Sequence, residues 1–173
     1  MRDILMNKTT LLTIFISVAI SMPSAWAASS EVEWKDYKSY RDIHEGNENR
    51  SRFRERTFKQ LEDHFAELAS QLPKEQVLKI IVTDVDLAGD TMAGGINRMR
   101  IVKHNYPPRM NFSYQLLDAN GKELKADTVK VRDMNFMSSS NLKYRNKALG
   151  YEKKMLDDWF AETFQAELAA VSK

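Results

Sequence analysis

Cysteine is absent from this chain. Its absence excludes disulfides, thiol catalysis and lipid attachment through an N-terminal cysteine. Glycine and proline are scarce, with six and four residues in 173, and there is no low-complexity tract or internal repeat. No stretch meets a catalytic, metal or nucleotide fingerprint, so the sequence implies no cofactor. The three histidines, His44, His64 and His104, share no metal-like spacing such as H-E-x-x-H. Neither charge sign dominates. With 26 basic and 24 acidic residues the formal net charge is +2, which gives no general reason to expect nucleic acid as a partner. Only one long apolar run occurs, Leu11 to Ile20. It falls short of the about 20 residues that a spanning helix needs.

That run is the centre of an ordered pattern. Lys8 precedes it, and Pro23 and the small-residue site Ala25-Trp26-Ala27 follow it. A short basic start, an apolar stretch, a helix breaker and A-x-A together predict a secretory signal peptide over residues 1–27, cut after Ala27. The alternative is an uncleaved N-terminal anchor. Met6-Asn7-Lys8 makes a better signal start than Met1-Arg2-Asp3, which leaves the initiating methionine open. Export places the mature protein in the periplasm of a Gram-negative cell. Removing Arg2, Asp3 and Lys8 leaves 24 basic and 23 acidic residues over 28–173, a net charge of +1 on 146 residues. A chain of that length is expected to form one domain, burying about 68–70% of its unfolded surface, and to hold together without disulfides.

Residues 31–35 alternate polar and apolar and predict a first strand, and 36–49 reads as a loop. Phe58, Leu61, Phe65, Leu68 and Leu72 draw an apolar stripe that predicts a helix over 51–72, with Ser51 as N-cap and Pro73 as terminator. Residues 77–87 predict the strongest strand, apolar on both faces in its first half and so expected to be covered on both sides. A glycine-bearing connection over 88–97 leads to a predicted strand at 98–103, broken by Tyr106-Pro107-Pro108. Residues 110–117 place Met110, Phe112, Tyr114 and Leu116 on one face, and Asp118-Ala119-Asn120-Gly121 predicts a hairpin turn. The return strand switches apolar phase between Ala126 and Val129, which predicts a bulge or break near Asp127. Residues 138–146 read as a loop, and 147–170 as a last helix with Gly150 weakening its first turn. The expected fold is α+β: an antiparallel sheet of four to five strands carrying two helices, in the order β-α-β-β-β-β-α.

Several segments carry a resemblance. Val32-Glu33-Trp34, Thr83-Asp84-Val85-Asp86-Leu87-Ala88-Gly89, Tyr106-Pro107-Pro108-Arg109, Asp133-Met134-Asn135-Phe136, Tyr151-Glu152-Lys153 and Leu156-Asp157-Asp158-Trp159-Phe160 together resemble a family of small secreted bacterial proteins catalogued as a domain of unknown function, DUF3016. The resemblance covers nearly all of 28–173 and implies export and a single domain. It implies no activity and transfers no catalytic residue.

The residues themselves offer candidate sites. Asp84 and Asp86 share one face at a strand end, and Asp90 follows in a glycine loop. Carboxylates so placed could hold a hard cation such as calcium, yet the EF-hand pattern fails, with Ala88 at position five and Gly95 at position twelve. The alternative is ion pairing with Arg98 and Arg100 on the next predicted strand. Arg109 could bind a ligand or pair with Asp133. The ligand-binding candidates are therefore Asp84, Asp86, Arg98, Arg100 and Arg109. Arg50, Arg52, Arg54 and Arg56 make no single helical stripe; they read as a solvated, locally paired face, with Glu55–Lys59 as one pair, or as a surface for an anionic partner such as a lipid head group. His64 is expected at the surface or boundary. Ser138-Ser139-Ser140 lacks the glycines of a nucleophile elbow, and Tyr151, Trp159, Phe160 and Phe164 are expected in the core.

No convergent acid, base and nucleophile is visible. The expected function is a non-enzymatic envelope module that binds a protein partner or small ligand, with no transmembrane segment in the mature chain. The alternatives are a hydrolase or metal-dependent enzyme built on the Asp84/Asp86 strand end, and an envelope structural protein.

Overall fold

The computed structural model describes residues 27–92, 96, 98–138, 143–144 and 146–171. Residues 1–26 of the predicted leader (1–27) lie outside the described residues. The domain is α+β. Its elements are β1 (Ser29–Trp34), α1 (Arg50–Ala69), β2 (Val77–Asp86), β3 (Arg109–Leu117), β4 (Glu123–Arg132), α2 (Gly150–Thr163) and α3 (Gln165–Val171), with a short 3-10 turn at Tyr37–Ser39.

The sheet has four strands in the order β1-β2-β3-β4 and is mixed, not purely antiparallel. β1 runs parallel to β2, from Ser29 opposite Val77 to Trp34 opposite Val82. The reason is the intervening helix. Twenty residues of α1 rise about 30 Å, enough to carry the chain back along the sheet, so that β2 starts at the end where β1 started. The remaining pairs are antiparallel. β3 and β4 form the predicted hairpin, closed by Asp118, whose Oδ1 accepts from the backbone N–H of Asn120 and Lys122.

The predicted stripe lies on one face of the sheet, where Leu61, Phe65 and Leu68 of α1 and Leu72, past its end, are buried. The helix is capped by Asn49, not Ser51: the Asn49 side chain accepts from Arg52 N–H. Ser51 instead donates to Glu55 at 2.8 Å, and Lys59 pairs with Asp63, not with Glu55. α2 brings Met155, Leu156, Trp159 and Phe160 onto the same face, and Phe164 joins them. Trp159 meets Phe112 and Tyr114 edge-on, with ring centroids at 4.8 and 5.5 Å. Trp34 stacks on Phe58 at 4.1 Å while its indole N–H reaches Glu62 at 2.7 Å. Each such aromatic or aliphatic side chain stabilises the fold by about 1.5–3 kcal/mol when fully buried.

Five further expectations are corrected. The last helix is two: the chain bends at Phe164 (φ −109°, ψ 25°), where the fully buried ring turns into the core and Lys125 Nζ donates to the Thr163 carbonyl. The helix start moves from 147 to Gly150, where glycine is needed because a Cβ would lie 2.5 Å from the Tyr144 carbonyl oxygen. Residues 98–103 form no strand; a single bridge joins Asp90 to Ile101. The register of β4 runs unbroken through Asp127, and the irregularity falls at Leu116/Leu117. The apolar phase switch arises because Leu124, Ala126 and Thr128 face solvent on one side, while Val129 and Val131 pack against the core on the other. Finally, β2 is central but covered on one face only: Leu78, Ile80 and Val82 are buried, whereas Ile81 and Thr83 are exposed.

Candidate functional site

At the C-terminal end of β2 the chain gathers four charged pairs. After the 3-10 turn the backbone rejoins the sheet, and Asp42 bridges Asp86 in parallel. Asp42 N–H donates to Val85 O at 3.0 Å, and Leu87 N–H donates to Asp42 O at 3.1 Å. Two carboxylates thereby become neighbours, and each has its own arginine. Asp42 takes the Arg100 guanidinium on both oxygens, at 2.8 and 3.1 Å. Asp86 lies opposite Arg109 across β2 and β3, and Arg109 Nη2 stands 2.6 Å from Asp86 Oδ2. The Arg109 Nε beside that contact has no hydrogen-bond partner among the described residues. Burial raises the Asp86 carboxyl above the usual carboxylate range, and Arg109 offsets this only in part. Asp84 caps backbone: its Oδ1 accepts from Arg41 N–H at 2.9 Å. The Arg41 guanidinium sits 3.9 Å from both Asp84 and Asp86.

The segment that follows β2 is clamped from two sides. Arg100 Nη1 donates to the carbonyl of Gly89 at 3.1 Å and reaches those of Leu87 and Ala88 at 3.4 Å, while Nη2 donates to His44 O at 3.1 Å. From the helix side, Glu152 Oε1 accepts from Ala88 N–H at 2.7 Å. Glu152 is buried in the first turn of α2, and burial raises its carboxyl above the ordinary range. Gly89 closes the clamp at φ +85°, with its Cβ position 2.8 Å from Ile101 O. A side chain there would be strained and would collide with backbone.

The sequence candidates therefore divide. Asp84, Asp86 and Arg109 come together, joined by Arg41. Arg100 is paired with Asp42, and Arg98 is exposed in the left-handed region at φ 43°; neither faces Asp84 or Asp86, because 98–103 is not the neighbouring strand. Arg109 pairs with Asp86 and not with Asp133, which lies 3.7 Å from Lys154. Among the described residues no group of three or more potential metal ligands forms. His64 is buried, not at the surface: its Nε2 lies 2.7 Å from Asp157 Oδ1 and 3.1 Å from Lys153 O, tying α1 to α2. The α1 arginines are locally engaged, Arg56 with Glu48 at 2.7 Å, Arg50 with Glu45 at 3.9 Å and Arg54 over the Tyr37 ring.

The second feature is the uncovered face of the sheet. Two rows cross all four strands: Glu31, Lys79, Gln115 and Ala126, and beside them Glu33, Ile81, Ser113 and Thr128. They line a shallow depression of about 580 Å³, within the range of small-ligand sites. Lys79 Nζ pairs with Glu31 at 3.2 Å. Glu33 makes no ion pair among the described residues. Ser113 and Gln115 were legible as the polar face of their strand. That no layer of the described residues covers this face was not.

The family model for proteins of unknown function DUF3016 matches residues 28–162. No curated protein and no solved structure matches the chain. The chain belongs to the DUF3016 family.

Proposed function

We propose that this member of the DUF3016 family is an exported, non-enzymatic binding module of the cell envelope, and that its ligand lies on the open face of the sheet. The observation that carries this is the contrast between the two features. The aspartates at the end of β2 are occupied in holding backbone and arginines, whereas in the 580 Å³ depression the Glu33, Ser113 and Thr128 side chains make no hydrogen bond or ion pair among the described residues. Hydroxyl, amide and carboxylate groups on Ser113, Thr128, Gln115 and Glu33, beside the exposed Ile81, suit a polar ligand with hydroxyls or amides and a cationic group opposite Glu33. Export rests on the leader pattern Lys8, Leu11–Ile20 and Ala25-Trp26-Ala27. Among the described residues no helix is long and apolar enough to cross a membrane.

The test is an NMR titration with soluble peptidoglycan fragments, which carry sugar hydroxyls, amides and free amines. Amide shifts should gather on Ile81, Ser113 and Gln115, and Glu33→Gln should weaken them. Shifts confined to Asp84, Asp86 and Arg109, with turnover of the fragments, would replace this proposal with the hydrolase alternative. No shift on the open face would overturn the ligand class.

A further inference from the structure

β1, β2 and β4 end, and β3 begins, at one end of the sheet, as the pairings Trp34–Val82, Asp86–Arg109 and Arg109–Arg132 establish. Three long connections leave this end, after β1, β2 and β4. The first carries Asp36, Asp42, Glu45 and Glu48, and its Gly46 lies against the Arg98 carbonyl. The Asp90–Ile101 bridge closes the neck of the connection after β2, and Asp133 N–H donates to Pro108 O at 3.3 Å, tying the connection after β4 to it. The composition of these last two departs from the rest of the chain. Residues 91–108 and 134–149 hold six basic residues and no acidic one, although acids and bases nearly balance over the whole sequence. Arg100 is turned inward and Lys143 pairs with Asp157, but Arg98, Lys103 and Lys147 are exposed.

The same connections carry more than half of the large apolar side chains exposed among the described residues. Of nine large apolar residues exposed among the described residues, five lie here: Met92, Ile96, Met99, Met134 and Met137. Ile96 is fully exposed and Met92 is 77% exposed. Large apolar groups at loop tips gain nothing from water, and unbranched methionine adapts to an irregular surface. Apolar tips interspersed with arginine and lysine, free of acids, match the boundary between acyl chains and anionic head groups.

We infer that this loop end docks the domain on the surface of an anionic phospholipid bilayer, with Met92, Ile96, Met99, Met134 and Met137 entering the interface and Arg98 and Lys103 meeting lipid phosphates. The site is distinct from the open face of the sheet, which stays available to a ligand.

The full chain is tested by co-sedimentation with vesicles of phosphatidylcholine alone and of phosphatidylcholine mixed with phosphatidylglycerol. Every variant keeps the wild-type N-terminal segment, so differences between variants report on the loops alone. Wild type should bind the anionic vesicles more tightly and lose affinity as salt is raised. Arg98→Glu with Lys103→Glu should weaken binding by about tenfold or more, at roughly fivefold per charge lost near the surface. Ile96→Asp with Met99→Asp should weaken it at low salt as well. Lys122→Glu, in the hairpin turn at the opposite end, should change nothing. All substituted positions are exposed, so far-ultraviolet circular dichroism should stay as in wild type. Equal binding to both vesicle types, or an equal loss with Lys122→Glu, would overturn the proposal. Wild type that binds neither vesicle would also overturn it.

Discussion

Replacing Arg100 with methionine removes the side chain that joins three separate segments while keeping much of its apolar stem. The guanidinium makes bonds of 2.8 and 3.1 Å to Asp42 and two of 3.1 Å to the carbonyls of Gly89 and His44. The two contacts at 3.4 Å contribute little. The larger cost is the partner left behind: the Asp42 side chain is only 13% exposed, and it would lose its sole cation among the described residues. Breaking a buried pair from one side costs about 3–5 kcal/mol. Both side chains retain some access to water, so about 3 kcal/mol is expected. For a domain of this size that is a large fraction of a total of about 5–15 kcal/mol, and it lowers the melting temperature by about 6–12 °C. Arg100→Lys keeps the charge without the planar fork and should cost about 1–2 kcal/mol. Urea unfolding followed by tryptophan fluorescence measures each value. Asp42→Asn completes a cycle whose coupling should be about 2 kcal/mol. If Arg100→Met lies within about 0.5 kcal/mol of wild type, or if its effect simply adds to that of Asp42→Asn, Arg100 does not hold this end of the domain together.

Glu152 predicts a pH dependence. Its folded pKa lies above the ordinary glutamate value because the carboxyl is buried, so the folded state binds the proton more tightly than the unfolded chain. Its contribution is fully present below the unfolded pKa and declines as pH rises from there through the raised folded value. Asp86, also raised, adds a decline of the same sign. In urea titrations across pH 4–8 (roughly the span from an unfolded carboxylate upward), Glu152→Gln should flatten this decline in part; an unchanged slope would refute the assignment. Gly89→Ala should destabilise by about 2 kcal/mol or more, from left-handed strain added to the collision with Ile101 O; a melting temperature equal to wild type would show that the loop relaxes freely.

Much of the fold was legible because its signals are local. The α1 stripe Phe58, Leu61, Phe65, Leu68 and Leu72 needs only helical spacing, and Met110 to Leu116 needs only alternation. The misread parts depend on what lies across the chain. Six residues of β1 carry no mark of strand direction, and the parallel pairing follows from how far α1 returns. Ile80-Ile81-Val82 looks covered on both faces, yet Ile81 faces solvent because both long helices pack on the other side. Alternation at 98–103 suggested a strand, but Arg100 turns inward to reach Asp42. The bend at Phe164 has no glycine or proline to announce it.

At the candidate sites the same division holds. Asp84 and Asp86 were picked out at a strand end, and Arg109 as a ligand-binding arginine or a partner for Asp133; Arg109 meets Asp86, and only Arg41 reaches both aspartates, at 3.9 Å. Arg41, Asp42 and Glu152 were missed, because each acts on a segment at least 43 positions away.

Residue order alone determined which segments bury one face, that no thiol takes part, and which acids and bases cluster along the chain. Only the folded arrangement decided which acid meets which base, and which side of the sheet stays bare. Spacing along a strand or helix is fixed by backbone geometry, whereas partners across strands depend on register and on where the helices come to rest.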